Sequence, residues 1–164
     1  MSVSKKPRKR IKPMHKRETN AVNTNPIAYL CAVDNIQSRV RTLKTQVWVR
    51  HVGEEAVECL ALLAWLIGLA AEVELQTNPD GHELRVLHGA CRMIQAWCLS
   101  GYTWQIEDPA GMERCIDMSH KTLMQKPQWA IALAQGAHIF SHQVRTRTVT
   151  PESISGAEIY RKAA

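Results

Sequence analysis

The sequence predicts an all-α bundle of about five helices, on three observations. Apolar residues recur at spacings of three and four through most of residues 26–145, the period of an amphipathic helix. Ala, Leu, Gln and Glu are plentiful in the middle of the chain, whereas β-branched runs are few. Pro and short polar turns interrupt the apolar stretches at intervals that suit helices. At 164 residues, with 45% hydrophobic and 22% charged residues, the chain can bury one core, and general disorder is excluded.

The elements follow in order. Residues 1–25 hold Pro7 and Pro13 among basic and polar residues, a composition that predicts a disordered arm. Asn25-Pro26 opens the first helix, with Asn as cap and Pro in the first turn. Residues 56–71, AVECLALLAWLIGLAA, are apolar on every side and predict the central, buried helix. A membrane span needs about 20 mostly apolar residues, and the uncharged run between Glu58 and Glu72 has only thirteen. NPDG (78–81) is a turn. Leu84, Leu87, Cys91, Ile94 and Cys98 then form one stripe. Asp108-Pro109 opens another helix with Met112, Cys115, Ile116 and Leu123 inward. Pro127 opens the last, striped by Trp129, Leu133, Ala137, Phe140 and Val144. TRTVTP (146–151) breaks the pattern, and residues 146–164 are expected to form a tail with a short helix.

Charge is distributed unevenly. The formal net charge is +6, yet residues 1–17 carry eight Lys or Arg and no acid. The remaining thirteen cations face fifteen acids, so residues 18–164 carry a net −2. A block of this kind reads as a solvated interaction tail. Lys5, Lys6, Arg8, Lys9, Arg10, Lys12, Lys16 and Arg17 are its candidate polyanion-binding residues, because a nucleic acid relieves their mutual repulsion and releases its own counterions. A second acid-free segment, 35–53, adds Arg39, Arg41, Lys44 and Arg50 with Trp48 among them. Cations with an interleaved aromatic suit phosphate contact plus base stacking. The competing expectation is a solvated helix face with Trp48 turned inward.

Catalytic constellations are incomplete. Glu54, Glu55 and Glu58 form EExxE, which resembles half of the Mg²⁺ site of all-α nucleoside triphosphate pyrophosphohydrolases. The second half, ExxD on a following helix, is missing, and acids at a helix start are favoured by its dipole. Asp117 and His120 make one DxxH, where a di-iron bundle needs two such pairs and further Glu. Ser119 and His120 are helical neighbours pointing about 100° apart, so they form no nucleophile–base pair alone. His138 and His142 stand at i and i+4 and could share a metal, but Ile139 occupies the place of the HExxH glutamate. No glycine-rich phosphate loop is present. No cofactor is expected, and the chain is expected not to be an enzyme. The five Cys, odd in number and without a CxxC pair, predict a reducing, cytoplasmic setting, and no secretory signal is expected.

A basic arm containing RKRIKP (8–13), followed by a Trp- and Ala-rich helical body, resembles in layout and length small accessory proteins of phages, prophages and related mobile elements. That resemblance implies a non-enzymatic protein of the bacterial host cytoplasm. It would act on nucleic acid or on a host nucleoprotein complex, as inhibitors of defence systems such as CRISPR do. Two other readings stand beside it. One is a self-assembling structural protein, a homo-oligomer anchored to nucleic acid; the other is a metal-dependent enzyme using Glu54, Glu55, Glu58, Asp117 and His120. KKPRKR would also serve as a nuclear-import signal in a eukaryotic host. No membrane partner is expected.

Overall fold

The computed structural model describes residues 26–152, and all regular structure among them is helical. Five helices follow one another: α1 (Pro26–Gln46), α2 (Gly53–Thr77), α3 (His82–Leu99), α4 (Pro109–Gln125) and α5 (Pro127–Arg145). Short connections force neighbours to run antiparallel, giving an up-down-up-down-up bundle. Cross-contacts fix the directions. Glu54 and Glu58 at the start of α2 pair with Arg147 and Arg145 at the end of α5. Glu74 near the end of α2 meets Lys126, the single residue between α4 and α5. The connections 47–52 and 100–108 therefore share the upper end with residues 146–152, while the start of α1 lies at the lower end.

α2 is central because it has no polar face to offer water. From Ala56 to Ala71 only Glu58, Cys59, Leu62 and Gly68 escape full burial, and α2 packs against all four other helices. By length and composition α2 could cross a membrane, but here its apolar surface is covered by its neighbours. Each fully buried Leu contributes about 1.5–3 kcal/mol relative to exposure. The outer helices show the predicted stripes: Leu84, Leu87, Cys91, Ile94 and Cys98 on α3, and Met112, Ile116 and Leu123 on α4, are all buried. Ala137, Phe140 and Val144 of α5 are buried too, whereas Trp129, Leu133 and Cys115 are only half-buried at the core's edge.

Helix boundaries follow the local chemistry. Asp108 caps α4 by accepting from the Gly111 amide at 2.8 Å, and Pro109 sits in the first turn, where no intrahelical donor is lost. The Asp108 carboxylate occupies the space a Cβ at position 111 would need, so glycine allows the close approach. After α3 the chain reverses through Gly101 (φ 93°) and Tyr102 (φ 59°). Tyr102 bears a side chain in the left-handed region, a conformation that surrounding contacts must hold. Its amide donates to the Cys98 carbonyl at 3.1 Å, and its hydroxyl accepts from the Val149 amide at 3.3 Å.

Beyond α5 the chain does not leave the body at once. Val149 is buried in the core, and Gln95 donates to the Thr150 carbonyl at 2.8 Å. The first part of the predicted tail thus packs over the upper end of the bundle. The basic arm and the predicted terminal helix lie outside the described residues.

Candidate binding surfaces

The second basic segment does not form one face. Residues on a helix turn by about 100° each, so Arg39 and Lys44 point about 140° apart around α1, with Ile36, Val40 and Leu43 directed to the core. Lys44 leans onto α4, with Nζ 2.8 Å from Asp117 Oδ1 and 3.4 Å from Glu113 Oε1. Hydrogen bonding to Asp117 is the largest influence raising its pKa. Arg41 is exposed on α1. Arg50 is exposed in the connection after α1.

Trp48 points outward, with 60% of its surface exposed, and its Nε1 donates to Glu113 Oε2 at 3.2 Å. The competing reading, with Trp48 turned inward, does not hold. Val49 and Val52 are exposed beside it. A hollow of about 440 Å³ lies between residues 47–50 and the connection before α4, lined by Trp48, Arg50, Trp104, Gln105, Ile106 and Glu107. Trp104, which the sequence reading did not single out, supports this edge. It is buried, its Nε1 donates to the Val49 carbonyl at 3.1 Å, and the His51 ring meets it edge-on at 5.9 Å. The upper end therefore offers an exposed indole and a guanidinium on a rigid aromatic base.

Arg39 takes part in a different surface. Its Nε donates to Asn35 Oδ1 at 2.7 Å, and its guanidinium carbon lies 4.0 Å from the ring centre of Trp65 on α2. Across from it, α5 presents His138 and His142. Together with Asn35, Ala134 and Ile139 these residues line a groove of about 600 Å³ between α1 and α5, floored by Trp65. Two signals some hundred residues apart in sequence thus meet in one place. Burial is the main cause lowering the Arg39 pKa, with the positive charge of Arg145 second.

The carboxylates and nucleophiles have other occupations. Glu54 pairs with Arg147, Glu58 with Arg145 at 3.2 Å, and Glu55 lies 3.5 Å from His51 Nδ1. Asp117 is taken up by Lys44. Ser119 is buried and donates to the Cys115 carbonyl at 2.8 Å. No three of His, Cys, Asp and Glu converge as a potential metal site among the described residues. Cys91 and Cys98 are buried thiols, pushed by desolvation up to about 12 and about 11.

Comparison of the chain with family models, with curated proteins and with solved structures gave no match.

Proposed function

We propose that this is a non-catalytic binding protein that holds nucleic acid, or a complex that carries it, through its basic N-terminal arm. The observation that carries the proposal is charge segregation: eight unopposed cations in residues 1–17 precede a body of net charge −2. A body of that charge has little attraction of its own for phosphate, so the affinity resides in the arm.

The upper end supplies a second contact. Trp48 lies just past the end of α1, about 31 Å along the helix axis from Pro26, the first described residue after the arm. Arg41 lies exposed along the way. A strand held by the arm's cations would find Arg41, Arg50 and the Trp48 indole as further contacts on the body. Trp48, Arg41 and Arg50 then act as positioning and stacking contacts without base readout. Engagement of the carboxylates in ion pairs favours this reading over the metal-dependent enzyme. The layout resemblance to mobile-element accessory proteins supports a host nucleoprotein complex as the natural source of that nucleic acid, including one belonging to a defence system.

Binding of single-stranded and duplex oligonucleotides, followed by fluorescence anisotropy, tests the proposal. Deleting residues 1–17 should abolish most of the affinity for both. Trp48→Ala in the full chain should weaken single-strand binding by about 1–3 kcal/mol, the usual worth of one stacked base. Undiminished binding after the deletion would contradict the proposal.

A further inference from the structure

The groove between α1 and α5 holds the positive charge of Arg39, and no acidic side chain stands among the described residues that line it. Arg39 forms no ion pair among the described residues, and the charge identified nearest in effect, that of Arg145, repels it. Arg145 itself is engaged by Glu58 at 3.2 Å. Arg39 lines the groove, and within the guanidinium Nε donates to Asn35 Oδ1. A half-buried cation without an acidic neighbour among the described residues is costly, and an anion would relieve that cost.

The surroundings narrow the kind of anion. Trp65, Ala134 and Ile139 give the groove an apolar lining, and Ile139 is 62% exposed at its edge. His138 and His142, on the wall facing Arg39, add imidazole nitrogens able to donate to an oxyanion. At about 600 Å³ the space falls within the range of small-molecule sites, about 300–1,000 Å³. Such sites combine an apolar lining with a few convergent polar groups that fix orientation. The guanidinium carbon lies 4.0 Å from the Trp65 ring centre and Nε is bonded to Asn35, contacts that set its position before any ligand arrives.

We propose that the α1/α5 groove is a binding site for a small amphipathic organic anion, a carboxylate or phosphate monoester. Its head group lies against Arg39, flanked by His138 and His142, and its apolar body rests on Trp65, Ala134 and Ile139. This site shares no lining residue with the Trp48 edge and calls on none of the arm's cations, so it stands whether or not the protein holds nucleic acid.

Calorimetric and NMR titrations of the full chain with octanoate, octyl phosphate, octanol and octylamine test it. The two anions should bind at least about tenfold more tightly than octanol, as a charge-assisted contact to Arg39 requires. Octylamine should not bind, and shifts should centre on the Trp65 indole and the two imidazoles. The stronger of the two anions identifies the head group the site prefers. Arg39→Met should erase the preference for anions over octanol. Ile139→Glu, at an exposed position that the fold tolerates, should abolish anion binding by placing a like charge at the edge. Equal affinity for octanol and octanoate, no binding of either anion, or unchanged octanoate binding by Ile139→Glu would each overturn the proposal.

Discussion

Arg39 and Lys44 stand five positions apart on α1 and meet opposite surroundings. Lys44 reaches α4 and finds two carboxylates, Asp117 at 2.8 Å and Glu113 at 3.4 Å. Arg39 turns toward α5, lies on Trp65, and finds an amide oxygen, two histidines and, among the described residues, no acid. In a count of charges the two are interchangeable. In the fold one is a compensated strut between helices and the other is a charge held ready for a counterion. The same contrast extends to the core, where Glu74 is 5% exposed and is compensated by Lys126 at 3.3 Å and Thr122 at 3.1 Å.

The strongest way to break the comparison is to remove a partner from the compensated core pair. Lys126→Met should destabilise the bundle by about 3 kcal/mol, measured by urea unfolding, because Glu74 is left buried without its cation. Adding Glu74→Gln should recover part of that loss. A loss no larger than that of an exposed pair would mean that Glu74 reaches water.

Cys91 represents a third fate, a charge that burial prevents from forming. Its pKa is raised from 9.0 to about 12 in the folded protein, so the folded state keeps a proton that the unfolded state loses first. This contribution to stability is fully present below pH 9.0 and is lost as pH rises from there to about 12. The slope is about 1.4 kcal/mol per pH unit for one thiol. Cys91→Ala should flatten the stability profile over that window relative to the parent chain, as read by unfolding at successive pH values.

The two residues of α1 give the smaller effects. Arg39→Met should alter stability by no more than about 1 kcal/mol, since the lost stacking of cation on indole is offset by relief from burying an unbalanced charge. Lys44→Met should lower stability slightly at low salt, and the loss should vanish near 1 M salt, where screening acts over about 3 Å. A larger, salt-independent loss at Lys44 than at Arg39 would reverse the contrast.

Local chemistry made much of the fold legible in advance. The Asp108-Pro109 pair foretold a capped helix, the all-round apolarity of 56–71 foretold its central position, and the stripe of α3 foretold its buried face. The sites were legible only as fragments. His138 and His142 were visible as a pair at helical spacing, but their meeting with Arg39 depends on α1 and α5 lying side by side. Lys44 and Asp117 are separated by 73 positions, a pairing that helical period alone cannot reveal. The outward turn of Trp48 did have a signal. Ile36, Val40, Leu43 and Val47 form the inward stripe of α1 and its continuation, and the residue after Val47 is displaced about 100° from it. Trp104 carried no motif, because its role comes from the return of the chain before α4 to the upper end of the bundle.

In the proposed function the arm holds a polyanion and the body, of net charge −2, adds little attraction of its own. The most direct test is the slope of log affinity against log salt for duplex DNA, compared between the full chain and one lacking residues 1–17. If all eight arm cations meet phosphates, the slope of the full chain should be steeper than that of the truncated chain by about 7, at about 0.9 per neutralised phosphate. The truncated chain should keep a slope of no more than about 2, from Arg41 and Arg50. Equal slopes for the two chains would contradict the claim.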